Sequence, residues 1–523
     1  MRPRPLGDKD VSPAAPTLSR RSLLAALGGG ALLARHVDAW GHLALARAAS
    51  TAPAWHYDTL ADVARRIEAR ELSPVELTRH MLDRIAALDG QLHGYVTVMA
   101  DDAMASARRA EAEIRSGRYR GALHGVPIGV KDLCFTKGVR TMAGTMVLAD
   151  FVPAYDATAV ARLRDAGAVI LGKLTVCEGA MGPYHPALQV PVNPWDASRW
   201  SGVSSSGSGV ATAAGLCFGS IGTDTGGSIR YPSAVNGCVG LKPTYGRVSR
   251  YGVHALAESM DHIGPMTRSV EDAAIMLEVM AGHDPNDPTS LPDPAPRIRA
   301  RLTQGIAGLR IGFDRRYATE NVDEDVARAL DEVLEVLANG GARIVEVTMP
   351  DVSKVNEAWW EIATAEAAAH HAANYPSRAG EYGEGFRAVL DYGRKVSGVT
   401  YANAARHRAE FNGRLDRTLA GVDCLVCPSL SNAARDKVPD PFRAEEDADW
   451  VAVVRHDAHT KPFNFSGSPT LSVPCGFSDD GLPLSAQFAG RALSEATLCR
   501  VGHAYERATA WHSRHPSFPP PEP

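Results

Sequence analysis

Two clusters of glycine and serine, Gly202-Val203-Ser204-Ser205-Ser206-Gly207-Ser208-Gly209 and Gly222-Thr223-Asp224-Thr225-Gly226-Gly227-Ser228-Ile229-Arg230-Tyr231-Pro232, flank an apolar, helix-like passage. A flexible Gly/Ser linker would not lie between Trp195 and an Ala/Leu-rich helix with ordered punctuation on both sides. A phosphate loop needs a lysine directly after its last glycine, and none follows here. Thr212 stands where a dinucleotide fingerprint needs its third glycine, and Arg230 where a GxSxG nucleophile elbow needs its last. What the segment offers is serine hydroxyls clustered with backbone donors.

A serine hydroxyl is a weak nucleophile unless a base takes its proton, and no histidine in this stretch can do so. A lysine serves if it is buried and neutral. Lys131 closes the strand-like run Leu123-His124-Gly125-Val126-Pro127-Ile128-Gly129-Val130, which ends in the charge pair Lys131-Asp132. Desolvation in such a place lowers a lysine pKa.

The rest of the chain reads as α/β throughout. Ser73-Pro74-Val75-Glu76 forms a capping box with proline at the first helical position, ahead of Leu77, Met81, Ile85 and Leu88 on one face. Ser269-Val270-Glu271-Asp272 opens a second helix of similar design. Strands are expected at 127–130, 168–171, 309–313 and 342–347, and the last two enclose an amphipathic helix through Val326, Leu330, Val333 and Leu337 to make a βαβ unit. The segment 352–419 is helical and carries Trp359-Trp360 and His370-His371; packed helices are the favoured reading, with a substrate-facing lobe as the alternative. No linker separates it, so 55–510 is expected to be one catalytic domain and 511–523 a flexible tail.

Composition bounds the function. The chain has 523 residues, 45% of them hydrophobic and 22% charged, the balance of a globular protein able to bury a large core. A net charge of -5 with no basic stripe argues against nucleic acid as a partner. Eight cysteines are too few here for a disulfide framework, and Cys424 and Cys427 lack a second ligand pair for zinc, so buried thiols are expected and no metal.

Residues 1–48 read as an address. Ser19-Arg20-Arg21-Ser22-Leu23-Leu24 precedes an apolar stretch to Ala34, the outline of a twin-arginine export signal, and Ala46-Arg47-Ala48 supplies a small-x-small cleavage site. The stretch is too short to span a hydrocarbon core of roughly 30 Å as a helix. A periplasmic or secreted enzyme with no stable membrane insertion after cleavage is the expectation.

The stretch from Gly202 to Pro232 resembles the amidase signature along its whole length. Gly125 to Asp132 resembles that family's lysine segment, and Asp165 to Lys173 the segment that follows it. Ser259 to Met266 and Phe463 to Pro469 look like further family landmarks, so the likeness runs from residue 57 to about 507. It implies a central, twisted mixed β-sheet covered by helices on both faces. It also implies roles: Ser228 as nucleophile, Ser204 as the bridging serine held by a cis peptide bond, and Lys131 as base. The backbone amides of Thr225, Gly226, Gly227 and Ser228 would form the oxyanion hole, with Ser205, Asp224 and Arg230 in support. Oxyanion donors contribute about 3 to 4 kcal/mol each. Gly179, Ala180 and Met181 occupy a segment that lines the substrate channel in relatives. Val203 and Ser206 depart from the family, where glycine is common at both positions.

The chemistry so implied is hydrolysis of a small-molecule amide, anilide or carbamate, without a cofactor, by a monomer or homodimer. Esters share the tetrahedral intermediate. Two rivals stand beside it: the glutaminase subunit of a tRNA-dependent amidotransferase, against which the export signal argues, and a non-catalytic binding protein that keeps the fold.

Overall fold

Ser73 opens the long helix Pro74–Leu92 as its spacing predicts, its hydroxyl accepting from the amides of Val75 and Glu76. Glu76 returns no bond; the Ser73 hydroxyl instead donates to Glu111 at 2.5 Å, tying this helix to its neighbour Ala100–Arg115. The second cap differs in the same way. Ser269 holds the Asp272 amide at the start of helix Val270–Met280, while the Asp272 carboxylate accepts from Leu60 and Ala61 and so caps the helix Leu60–Glu68. In neither case is the box closed locally: Ser73 turns to Glu111, and Asp272 serves a helix more than two hundred residues away.

A computed structural model describes residues 55–434 and 458–518. The expected signal at 1–48 therefore lies outside the described residues, as do 435–457 and 519–523. Trp55–Pro523 forms one compact unit. Among the described residues no helix is long and apolar enough to cross a membrane.

Among the described residues eleven strands build one sheet: β1 (Tyr95–Val98), β2 (Pro127–Lys131), β3 (Val169–Leu174), β4 (Gly219–Asp224), β5 (Val239–Lys242), β6 (His262–Thr267), β7 (Arg310–Phe313), β8 (Arg343–Glu346), β9 (Cys424–Pro428), β10 (Thr470–Phe477) and β11 (Pro483–Ala489). Their order is β1-β3-β2-β4-β6-β5-β10-β11-β9-β7-β8. It is the mixed sheet expected. β3, β2 and β4 run parallel, as do β9, β7 and β8, and antiparallel pairs join the two groups. The βαβ unit appears as read, with helix Glu324–Asn339 between β7 and β8.

The segment 352–419 folds as three helices, Val355–His370, Glu384–Gly393 and Gly398–Ala420. Trp359, Ile362, Phe386, Leu390, Phe411 and Leu415 bury a second hydrophobic cluster there with Phe463 and Phe465. Cys424 and Cys427 lie in β9, and they and the other six cysteines are buried free thiols. The segment Trp511 to Phe518 is not loose: the ring of Tyr57 stacks on His515 at 4.0 Å, its hydroxyl donates to the Pro516 carbonyl at 3.2 Å, and the Arg84 guanidinium lies over Phe518. Aromatic side chains late in the segment give the tail something to bury.

Candidate active site

β2 and β4 are parallel neighbours, with Val130 opposite Ile221, and both end at the same edge of the sheet. Lys131 is the last residue of β2 and Asp224 the last of β4. The serine segments occupy the turns at that edge: Ser204 and Ser205 precede helix Ser206–Ala213, and Thr225 to Ser228 lead from β4 towards helix Arg230–Asn236. Carboxyl ends of parallel strands are where such sheets gather their chemistry.

The Lys131 ammonium is fully buried and surrounded by hydroxyls: Ser204 Oγ at 2.8 Å, Ser205 Oγ at 2.8 Å and Thr223 Oγ1 at 2.7 Å. Burial pushes its pKa down to about 8. The charge pair read at the end of β2 does not form. Asp132 pairs with Lys173 at 3.2 Å, and Lys173 also donates to the Cys134 carbonyl and to Thr141 Oγ1. Successive side chains on a strand point to opposite faces, so adjacent charges there seldom meet. Lys131 is thereby left with neutral partners, which lets desolvation decide its charge.

Ser228 is the one residue between Ser204 and Asn236 that is not buried. The bond between residues 203 and 204 is cis, as the resemblance implies. The two serine segments meet through the backbone, the Ser205 amide donating to the Ser228 carbonyl at 3.3 Å.

A buried ion pair holds the turn. Both Asp224 and Arg230 are fully buried; the guanidinium donates to both carboxylate oxygens at 2.9 Å, and further to the Thr460 carbonyl, Gln487 Oε1 and Asn464 Oδ1. Burial pushes the Asp224 carboxyl up, but the adjacent guanidinium outweighs it and holds the group well below the usual carboxylate range. Asp224 also accepts from the amides of Gly227 at 2.8 Å and Ile229 at 3.1 Å. Here the structure corrects the oxyanion assignment: the Gly227 N–H is taken by Asp224, which leaves the amides of Thr225, Gly226 and Ser228 as candidate donors.

The two glycines of this turn are required by the aromatic rings packed against it. A Cβ on Gly226 would stand 2.7 Å from the indole of Trp359. Gly227 has φ of 141° and a Cβ there would stand 2.3 Å from the Tyr231 ring. Aromatic side chains close in on the turn. Gly227→Ala is expected to lower kcat/KM by about 100-fold, the loss seen when one oxyanion donor is displaced; steady-state kinetics beside a thermal melt checks it.

Several contributors escape sequence reasoning. Trp359 Nε1 donates to the Thr225 carbonyl at 2.8 Å, so the helical segment reaches the turn that carries Ser228 rather than merely packing beside it. Thr225 Oγ1 donates to Asp261, whose carboxyl burial pushes up to about 6. Thr223 and Asn464 belong to the site too, the latter donating to Asp224 Oδ1 at 2.9 Å. The adjacent tryptophans at 359 and 360 and the Asp261-His262 landmark were the available signals; nothing in the sequence distinguished Thr223. Gly179 packs on Phe386, whose ring stands 2.1 Å from where a Gly179 Cβ would sit, and Ala180 and Met181 join the hydrophobic cluster that contains Phe386. Ser206, the departure from glycine, gains a hydrogen bond from Tyr184 at 2.5 Å.

The amidase family model matches residues 76–499, and the chain belongs to the amidase family, whose members are amidase signature hydrolases. A Mycobacterium bovis protein that carries the name amidase AmiD is 47% identical over 457 residues, covering 87% of this chain and 95% of its own. A glutamyl-tRNA(Gln) amidotransferase subunit from Geobacter metallireducens is 41% identical, covering 87% of this chain and 98% of its own. Among solved structures, the native peptide amidase of Stenotrophomonas maltophilia superimposes with a TM-score of 0.75 at 32% identity, over 87% of this chain and 97% of its own.

Proposed function

We propose that this enzyme hydrolyses carboxylic amide C–N bonds through an acyl-enzyme on Ser228. Neutral Lys131 takes the Ser204 proton as Ser204 takes that of Ser228, whose Oγ attacks the carbonyl carbon. The Ser204–Ser228 hydrogen bond that this step needs closes in the substrate complex, as catalytic hydrogen bonds commonly do. The amides of Thr225, Gly226 and Ser228 stabilise the developing oxyanion. When the C–N bond breaks, the proton returns along the same path to the leaving amine, and water then attacks the ester to free the acid and restore Ser228.

One observation carries this reading: a buried lysine with its pKa brought down to about 8 and only hydroxyl oxygens around it, one of them Ser204. The sign follows directly. A protonated Lys131 cannot accept a proton, so kcat/KM rises with pH through about 8 and falls about tenfold per unit below it. A profile flat from pH 6 to 9 refutes the lysine base.

Amides, anilides, carbamates and esters remain the substrate classes, since all pass through the same tetrahedral intermediate. Turnover of glutamine above that of aryl amides by the purified chain would move the reading to a glutaminase, the activity that its amidotransferase relatives suggest. The proposal further places the mature enzyme outside the cytoplasm. Arg20 and Arg21 support this, and their replacement by lysine should retain the protein in the cytoplasmic fraction.

A further inference from the structure

We infer that Thr223 is a positioning residue that aims the Lys131 lone pair at Ser204. The inference rests on the lysine relay just proposed. A neutral amine has two N–H groups and one lone pair, yet three hydroxyls stand 2.7 to 2.8 Å from Nζ. For Lys131 to act as base towards Ser204, that hydroxyl must donate to the lone pair. Ser205 and Thr223 must then accept the two N–H groups.

Ser205 is already committed to that role. Its own proton goes to the Thr223 carbonyl at 3.2 Å, and it accepts from the Thr223 amide at 3.2 Å as well as from Lys131. Both lone pairs and the proton of its hydroxyl are thereby used. The orientation of the amine is therefore decided by one remaining hydroxyl. If Thr223 donated to Nζ, the lone pair would be consumed and Ser204 would face an N–H in place of a base. If Thr223 accepts, the lone pair has one place to point.

The surroundings let Thr223 accept. It lines a solvent-connected cavity of about 290 Å³ together with Leu133, Thr225, Asp261 and His262, where water can take its hydroxyl proton. The titratable groups that face Lys131 are Cys177, Cys134, Asp224 and Asp261. Burial holds Cys177 at about 12 and Cys134 at about 11, and it raises Asp261 to about 6, while Arg230 keeps Asp224 ionised. Near pH 8 the amine is the group of this set that changes charge, so the limb on which activity rises with pH reports on it.

The test compares Thr223→Val, which keeps the shape and suits a strand, with Thr223→Ser, which keeps the hydroxyl. Valine should lower kcat by roughly 10- to 100-fold, with KM little changed. It should also move the limb about one pH unit to the acid side, because the ammonium form loses an acceptor. Serine should restore both. A valine variant with wild-type kcat and an unmoved limb overturns the inference, as does a serine variant no better than valine. Should valine fail to melt cooperatively, the serine comparison is made against Thr223→Ala by the same readouts. Lys131→Met, assayed alongside, separates the two readings: if it stays active the relay itself falls, whereas an inactive Lys131→Met beside an unchanged Thr223→Val removes the Thr223 role alone.

Discussion

Lys131→Met should lose about 10³- to 10⁴-fold in kcat/KM while the protein melts at or above the wild-type temperature. Both halves follow from the same burial. In the proposed relay the amine is the base, so its removal forfeits general-base catalysis, and none of its three hydroxyl partners can substitute for it at neutral pH. Methionine fills nearly the same volume without a charge to desolvate, and the three hydroxyls it leaves are neutral groups. A base that depends on burial trades stability for a usable pKa. Kinetics and a thermal melt on one preparation check both parts, and a Lys131→Met enzyme that turned over within tenfold of wild type would contradict them.

Arg230→Met should cost about 3 to 5 kcal/mol of stability, because it leaves the Asp224 carboxylate buried and unpaired. It should also abolish activity in the fraction that folds. Asp224 holds the Gly227 and Ile229 amides on either side of Ser228, and a carboxylate without its guanidinium cannot keep that aim. The guanidinium's remaining bonds, to Thr460, Gln487 and Asn464, are lost with it. Arg230→Lys recovers little, since one ammonium cannot reproduce a bidentate contact and three further donors. Denaturant unfolding gives the stability change. Acidification should act in the same direction: the Asp224 pKa is depressed in the folded state, so its contribution is present above the unfolded pKa and fades as pH falls through the folded one.

Much of this was legible in the sequence, and what was not has a common cause. Ser73 and Ser269 announce their helices because a cap is a contact within three residues. The alternation of 309–347 announces a βαβ unit for the same local reason. The serine segment and Lys131 could be named as chemistry, and their resemblance to one family ordered their roles. Partners at long range could not be named. Asp132 stands beside Lys131 in the chain yet pairs with Lys173, and Asp272, placed to close a local box, caps a different helix. Trp359 reaches the turn from a helix more than a hundred residues away, so its seat on Gly226 is visible only in three dimensions. Gly227 shows the limit most clearly: the family resemblance implied a donor to substrate, and the fold gives that donor to Asp224.

The proposed reaction requires Ser228 to be the nucleophile that Lys131 activates. A serine-reactive aryl phosphonate, followed by digestion and mass spectrometry, tests this most directly. The expected result is one adduct on the peptide that contains Ser228, formed at a rate that rises with pH through about 8 and nearly absent in Lys131→Met. An adduct on Ser204 or another serine, or full inactivation with Ser228 unmodified, would contradict it.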